Sequence, residues 1–272
     1  MVFITDPTKQ ASDHFSSPLI RPCIAIGPSL RLYFRRNYMP VHHFAALLKD
    51  SRRFKKHILV CIGVAIVLCL ISFLFFDQSL SWWLFQPAQK DVIWKPAREV
   101  TNIALSDWYF YICIGAWAFA AFIAPRIGKL KPYVSRIDYI RRWGLNFLVG
   151  LIICGALTHI LKFTVGRQRP HKSPDFHADV FNHFTTHWHW HSFSSGHAQV
   201  IFTAAVFFSL LLPRFAWFFG LFAVISAATR VIIHDHFLSD IIAGAFVGYI
   251  GSLLAILLMQ SKTKNGLYGE RP

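Results

Sequence analysis

The sequence predicts an all-α membrane protein with about six transmembrane helices. Three observations lead to this fold class. The 272 residues are 54% hydrophobic and only 15% charged, which is too apolar for an ordinary soluble domain. About six apolar runs, each near the length needed to cross a bilayer, alternate with polar segments. The 28 lysines and arginines fall mainly between those runs, as loop charges of membrane proteins do.

The spans follow one another along the chain from residue 57. The first, HILVCIGVAIVLCLISFLFF at 57–76, covers ~30 Å at ~1.5 Å per residue, the thickness of a hydrocarbon core. The second is predicted at 108–123, and the aromatic segment 79–94 before it is predicted to lie at the membrane interface. The remaining spans are predicted at 143–163, 197–212, 215–233 and 240–259.

Three regions are predicted on this basis. Residues 1–56 form a cytoplasmic N-terminal extension, partly irregular, with a surface-lying piece near SLRLYF and no cleavable signal. Residues 57–260 form the six-helix membrane domain, and residues 261–272 a short cytoplasmic tail. The five cysteines predict no disulfide framework, because four of them lie inside apolar runs.

The basic residues predict the orientation of the spans. The connection between spans one and two carries three of them, whereas the one between spans two and three carries six: Arg126, Lys129, Lys131, Arg136, Arg141 and Arg142. Cytoplasmic connections are the ones enriched in lysine and arginine. Both termini are therefore predicted to be cytoplasmic, and spans three and five to run outward.

The outer ends of spans three to six then share one membrane face, and ionisable residues gather there. An ionisable residue at membrane depth is costly and usually marks function. We therefore predict a catalytic site at the outer ends of helices 3 to 6. Its candidate residues are Lys162, Arg169, Ser195, Gly196, His197, Arg230, His236 and Asp240.

These residue types suit a phosphoryl group. Lysine and arginine neutralise its oxygens, and the free N–H groups at Ser195 and Gly196, before the fourth helix, favour an anion. His236 and Asp240 are four residues apart, so a carboxylate bonded to one imidazole nitrogen leaves the other as a nucleophile. His197 provides a second imidazole that can protonate a leaving oxygen.

Three stretches resemble the signatures of the type 2 phosphatidic acid phosphatase superfamily, which includes the vanadium haloperoxidases. They are KFTVGRQRP at 162–170, SSGH at 194–197 and RVIIHDHFLSD at 230–240. Ser194 and Thr229 depart from the pattern, at positions where the family usually has proline and serine. The resemblance implies a helical core, no metal or other cofactor, and a phosphohistidine intermediate.

The resemblance also implies a role for each site residue. His236 attacks phosphorus, Asp240 orients it, and His197 protonates the leaving group. The residues that hold the phosphate are Lys162, Arg169, Ser195, Gly196 and Arg230.

Nearby polar residues leave alternatives open. Arg167 is read either as a contact for a second phosphate or head group, or as a solvated loop charge. His234 and Asp235 are read as polar loop residues, and His159 as a histidine at a helix end. The histidine-rich run HADVFNHFTTHWHWH at 177–191 has three interpretations: a metal site with alternate imidazoles on one side of a strand, a substrate-facing loop that grips head groups, or an interfacial loop whose histidines are neutral polar residues.

Three functions compete. The first is a phosphatase that hydrolyses a lipid phosphate monoester or diphosphate at the outer face, periplasmic if the chain is bacterial; the second is a lipid phosphotransferase. The third, a non-catalytic protein that binds anionic lipid, would need no nucleophile. The expected partners are the bilayer and a phosphorylated lipid, such as phosphatidate, phosphatidylglycerophosphate, an isoprenyl diphosphate or a lipid A. Nucleic acid is not expected, despite the net charge of +15, because the cations form no basic face.

Overall fold

The structure, a computed structural model, describes residues 50–264. Within that range the chain forms eight α-helices, joined by short 3-10 and π turns, and no β-strand. The helices are α1 Ser51–Phe75, α2 Asp77–Phe85, α3 Pro87–Thr101, α4 Ser106–Ala118, α5 Val134–Val165, α6 Gly196–Leu211, α7 Ala216–Ile232 and α8 Leu238–Lys264. The predicted all-α class is confirmed.

Five stretches of the described chain are long and apolar enough to cross a membrane, so the protein is a polytopic membrane protein. They are Ser51–Phe75, Val92–Arg126, Arg136–Val165, Pro213–Ile232 and Leu238–Met259. The remaining apolar helix, α6, has 16 residues. At ~1.5 Å per residue it is ~24 Å long, short of a ~30 Å hydrocarbon core. The count of six spans therefore stays a prediction.

Two helices begin earlier than the hydropathy predicts. Asp50 caps α1 by accepting hydrogen bonds from the backbone N–H groups of Arg52 (3.0 Å) and Arg53 (3.2 Å). The basic residues before the first apolar run thus lie on the helix itself. Likewise, three of the six cations assigned to the second connection lie on α5, where Arg141 and Arg142 pair with Asp138.

The described residues leave some of the sequence predictions untested. The aromatic segment 79–94 is helical except at Gln86, which lies between α2 and α3, and its interfacial position stays a prediction. The N-terminal extension up to residue 49, including the SLRLYF piece, and residues 265–272 of the tail lie outside the described residues. Cys61, Cys69, Cys113 and Cys154 are free thiols, and Cys23 lies outside the described range.

The α8 helix occupies the centre of the bundle and packs against α1, α5 and α6, while α7 packs against α6 and α3. An aromatic cluster joins α5 to α6: Phe147 is fully buried and stacks on Phe207 at 4.9 Å between ring centroids. The indole of Trp143 donates to the Phe207 carbonyl at 2.7 Å. These contacts fix the relative height of the two helices, on which Lys162 and His197 lie.

Gly244 allows α8 to approach the start of α6. A Cβ atom at this position would lie 2.4 Å from the carbonyl oxygen of Ser195, so a larger residue would force the helices apart. At this close approach the Ser195 N–H donates to the carbonyl of Asp240 at 3.0 Å. The two predicted site segments are therefore tied together through their backbones.

Candidate active site

The structure brings the predicted site residues to one end of the bundle. Lys162 lies in the last turn of α5, which Gly166 ends with a left-handed φ of 58° and an N–H bond to the Lys162 carbonyl. Arg230 lies in the last turn of α7, and Asp240 in the first turn of α8. His197 lies in the first turn of α6. Four helix ends therefore supply the candidate site, as the sequence predicts.

His236 lies between α7 and α8 and is only 2% exposed. Its backbone N–H donates to the carbonyl of Arg230 at 3.2 Å. Burial lowers the pKa of His236 well below its ordinary value, and the nearby Arg169, Lys162 and Arg230 lower it further, with a smaller effect from His197. The imidazole is therefore neutral at pH 7, the form in which a ring nitrogen can attack an electrophile.

The Asp240 carboxylate lies beside the imidazole without a hydrogen bond to it. Nδ1 of His236 is 3.7 Å from Oδ2 of Asp240, and this buried nitrogen has no hydrogen-bond partner among residues 50–264. Catalytic hydrogen bonds are often long before a substrate binds and shorten in the reacting complex. The predicted pair is thus adjacent, and the bond that would orient His236 is not formed in this state.

The local sequence explains where Asp240 points. Asp240 is the third residue of α8, and its Oδ2 accepts the backbone N–H of Phe237, just before the helix, at 2.8 Å. This is the reciprocal half of a capping box, and a carboxylate in the first turn also favours the helix dipole. Ser192 donates its hydroxyl to the same oxygen at 2.5 Å. A third contact, from Arg167, is described below, so three segments of the chain hold the carboxylate.

Arg230 is a buried cation with unused donor capacity. One terminal nitrogen donates to Thr101 Oγ1 at 3.1 Å, and the other forms a close ion pair with Asp235, which is 27% exposed. Its Nε is buried and has no partner in the described part of the chain. Arg230 therefore already holds one oxyanion, the Asp235 carboxylate, and has a further donor for another.

The other two cations of the site donate to neutral acceptors. Lys162 donates to the His191 carbonyl at 2.7 Å. Arg169 donates to the carbonyls of Trp188 at 3.2 Å and Asp235 at 3.4 Å, and its guanidinium lies 5.0 Å from the centroid of the Trp188 ring. Carbonyl oxygens orient a cation without neutralising it. The positive charges of Lys162 and Arg169 therefore remain available to bind an anion.

The start of α6 offers backbone donors beside open space. Ser195 is the N-cap, and its hydroxyl accepts the Ala198 N–H at 3.4 Å. Its own N–H is taken by the Asp240 carbonyl, so the expectation that this group is free is wrong. The N–H groups of Gly196 and His197 belong to the first turn, which has no intrahelical acceptors. A Cβ at Gly196 would meet nothing within 4 Å, so an anion has room to approach.

Sequence reasoning misjudged Arg167. Both open interpretations are wrong, because its side chain is 2% exposed and pairs with two buried carboxylates, those of Asp240 and Asp77. Burial lowers the pKa of Arg167, but the two carboxylates outweigh that effect and raise the pKa above its ordinary value. Asp77, Ser192 and Ser239 were missed altogether. One signal was present: Asp77 directly follows the first apolar run, where a lone carboxylate is costly.

His234 and Asp235 also differ from plain loop residues. His234 is buried, adopts a left-handed φ of 59°, and its Nε2 lies 3.1 Å from the Ser81 carbonyl. Asp235 is the ion-pair partner of Arg230. His159 is exposed on α5. The first two therefore shape the loop around His236, while His159 takes no part in it.

The histidine-rich run does not form the strand that the metal-site interpretation requires. Residues Trp188–Trp190 make a 3-10 turn, so alternate imidazoles do not line one side. His183 and His191 contact the carbonyls of Thr164 and Thr185, and His189 stacks on Trp188 with centroids 4.4 Å apart. Among residues 50–264 no three His, Cys, Asp or Glu side chains are placed to hold a metal ion.

The geometry defines a class of site. A neutral buried imidazole with a carboxylate beside it faces three cations and a helix N-terminus with open space. Such a set binds a tetrahedral oxyanion and places a nucleophile next to it. Fold and site together therefore make this cluster a candidate membrane-bound phosphoryl-transfer site.

Known proteins place the chain within a family. The family model for the PAP2 superfamily matches residues 143–264, which include every predicted site residue. A lipid A 1-phosphatase of Rhizobium etli (strain ATCC 51251) is 29% identical over 202 residues, covering 72% of this chain and 83% of that protein. YbjG of Escherichia coli (strain K12), provisionally named as an undecaprenyl-diphosphatase, is 30% identical over 149 residues, covering 52% of this chain and 73% of YbjG.

Among solved structures, the chain is similar to a transmembrane PAP2-type phosphatidylglycerolphosphate phosphatase of Bacillus subtilis. The TM-score is 0.47 at 19% identity, covering 77% of this chain and 98% of that one. On the sequence comparisons, the chain belongs to the PAP2 superfamily. It is a membrane-bound phosphoric ester hydrolase.

Proposed function

We propose that the chain is a lipid phosphatase that hydrolyses a lipid phosphate monoester or diphosphate through a phosphohistidine intermediate. The observation that carries the proposal is the environment of His236. This neutral, fully buried imidazole lies 3.7 Å from the Asp240 carboxylate and within the field of Lys162, Arg169 and Arg230. A site that only bound anionic lipid would need the cations but not this imidazole.

In the first half of the reaction, Nε2 of His236 attacks phosphorus and the bond to the lipid oxygen breaks. Nδ1–H turns toward Asp240, which stabilises the positive charge that develops on the ring. His197 takes up a proton when the bound phosphate offsets the surrounding positive charge, and it donates that proton to the departing oxygen. The three cations and the N–H groups at the start of α6 bind the nonbridging oxygens, whose charge changes most in the transition state.

In the second half, water attacks the phosphohistidine and inorganic phosphate leaves. His197, now neutral, takes a proton from the attacking water, and the bond between Nε2 and phosphorus breaks to regenerate His236. Each histidine returns to its starting form. Because Lys162, Arg169 and Arg230 already neutralise the phosphoryl oxygens, the reaction needs no divalent metal.

The substrate class follows from the site and the relatives together. The two relatives reported above are each named for a phosphorylated lipid, lipid A in one case and undecaprenyl diphosphate in the other. A site at the ends of apolar helices meets such a phosphate at the same depth. We therefore assign a phosphorylated membrane lipid, of the phosphatidate, phosphatidylglycerophosphate, isoprenyl diphosphate or lipid A type.

The proposed placement is a bacterial inner membrane, with six spans within residues 57–260 and the active site on the periplasmic face. The lysine and arginine asymmetry supports it. Asp175 is well exposed in the loop after α5, with 64% of its side chain accessible, so Asp175→Cys is a suitable labelling position. An impermeant maleimide should label it in intact cells. Labelling only after lysis would show that the loop faces the cytoplasm, opposite to the proposed orientation.

The test of function is phosphate release by purified protein in detergent micelles from a panel of the four lipid types. At least one lipid should be hydrolysed, and His236→Ala should abolish the release. His159→Ala, which removes an exposed imidazole from the same end of α5, is the matched control and should keep parental activity. Release without an added lipid acceptor favours hydrolysis over phosphotransfer. Parental activity in folded His236→Ala would refute the proposal.

A further inference from the structure

Behind the candidate nucleophile, a buried arginine joins two carboxylates from distant parts of the chain. Arg167 donates from Nη1 to Oδ1 of Asp240 at 2.7 Å and from Nη2 to Oδ2 of Asp77 at 2.8 Å. Its Nε donates to the Ala178 carbonyl at 2.9 Å. All three nitrogens are thus occupied, and the guanidinium has one defined orientation.

Asp77 is held as firmly as Arg167. Its Oδ1 accepts the Ser72 hydroxyl at 2.8 Å and the Ser239 backbone N–H at 2.9 Å. The side chains of Asp77 and Asp240 are fully buried. The Asp77 carboxylate therefore joins the end of α1 to the first turn of α8, one residue before Asp240.

Two aromatic rings enclose the arginine. The Arg167 guanidinium carbon lies 4.2 Å from the centroid of the Phe237 ring and 5.2 Å from that of Phe73. The three charges therefore interact in a water-poor environment, where electrostatic interactions are stronger than at a surface.

The two oxygens of Asp240 have separate partners. Oδ1 contacts Arg167, whereas Oδ2 accepts from Ser192 and Phe237 and faces His236 at 3.7 Å. Arg167 thus determines which oxygen is presented to the imidazole. Because Asp77 shares the arginine's charge, the trio of two carboxylates and one guanidinium keeps a net negative charge. That charge favours an imidazolium next to Oδ2.

We propose that Asp77 and Arg167 are positioning residues of the phosphatase, which orient the Asp240 carboxylate and keep it negative enough to stabilise charge on His236. The proposal rests on the proposed roles of His236 and Asp240. Neither Asp77 nor Arg167 touches the substrate in this account. Their loss should consequently slow phosphoryl transfer and leave substrate binding nearly unchanged.

Asp77→Asn tests this, because it removes the charge and keeps the shape and an acceptor oxygen. Partners that orient metal-binding histidines are typically worth ~10- to 100-fold in activity, and we expect the same range for a partner that orients Asp240. We expect kcat per folded molecule, and the single-turnover rate of phosphoryl transfer, to fall by about that factor. KM should stay within about twofold, since the phosphate-binding cations are untouched. Asp107→Asn, which removes an exposed carboxylate from the first turn of α4, is the matched control and should match the parent.

The outcomes separate this proposal from the one on which it rests. A kcat within twofold of the parent, or a raised KM with unchanged kcat, overturns the positioning role, even if thermal stability falls. If His236→Ala is also active, the proposed function has failed instead. Should Asp77→Asn not accumulate as folded protein, Ser72→Ala removes only one hydrogen bond to Asp77. Its single-turnover rate should fall measurably at unchanged KM, and a parental rate would overturn the proposal.

Discussion

Arg167 and Arg169 are two residues apart, yet they belong to opposite sides of Asp240. Around Arg167, one cation meets two fully buried carboxylates. Around Arg169 lie two further cations, Lys162 and Arg230, and one partly exposed carboxylate, that of Asp235, which pairs with Arg230. The first region is internally compensated. The second carries excess positive charge, which favours a substrate anion, so the balance of charge distinguishes supporting residues from binding residues.

The largest expected effects differ between the two regions: substitution in the Arg169 region should mainly lower kcat/KM, and substitution in the Arg167 region should mainly lower stability. Arg230→Ala removes a proposed phosphate ligand, and we expect kcat/KM to fall by about 10²- to 10³-fold, as for one lost transition-state donor. Its stability should change little, because like-charge repulsion is relieved as the Asp235 pair is lost. Steady-state kinetics and thermal unfolding in detergent measure both quantities.

Arg167→Ala should, in contrast, mainly lower the stability of the protein. It leaves two buried carboxylates uncompensated, which typically costs ~3–5 kcal/mol in the free energy of unfolding. Arg98→Ala, the loss of an exposed arginine on α3, serves as the control and should leave stability close to the parent. If Arg230→Ala were the less stable protein, the contrast drawn from charge balance would be wrong.

The dependence on the leaving group should distinguish the role of His197 from that of His236. His197→Ala should reduce the rate by ~10²–10⁴-fold for an alkoxide leaving group such as glycerol's, because that oxygen needs a proton. With p-nitrophenyl phosphate much of the loss should disappear. Equal loss with both substrates in folded protein would exclude His197 as a general acid.

The pH dependence should reveal the same excess charge. Because burial and the cations lower the pKa of His236, the neutral nucleophile persists below the usual histidine range, and the acid limb of kcat/KM should lie below pH ~6.5. Lys162→Met removes one of those cations, so the limb should move to higher pH. A limb that stays in place would mean that another group controls it.

The smallest expected effect is that of a chelator. Three cations supply the charge that a metal would otherwise provide, so excess EDTA should change activity by less than about twofold. Loss of activity that returns with Mg²⁺ or Zn²⁺ would point to a metal that the cationic site does not explain.

The comparison also shows what a sequence can predict. The predicted bounds of α6 and α7 are within one residue, because their apolar runs end at Pro, Arg and polar loop residues. The starts of α1 and α5 were missed because hydropathy cannot distinguish a basic helical turn from a loop. The alternation of apolar spans predicted that the eight candidate site residues meet at one end of the bundle, where the structure brings the ends of α5, α6, α7 and α8 together.

The pairing of Arg167 with Asp77 could not be predicted in the same way. The two residues are 90 positions apart, and no local pattern couples them. The occupied N–H of Ser195 was missed for a similar reason, since its acceptor is the Asp240 carbonyl on another helix. Tertiary partners decide whether a charge or a donor is available, and one sequence does not contain that information directly.

The central claim is that phosphate passes through His236, and trapping the intermediate tests it most directly. Protein mixed with a ³²P-labelled activated phosphate ester and quenched rapidly in alkali should carry label in an acid-labile, alkali-stable bond. His197→Ala and His159→Ala should both become labelled, and His236→Ala should not. Label on folded His236→Ala, at the parental level, would contradict the account.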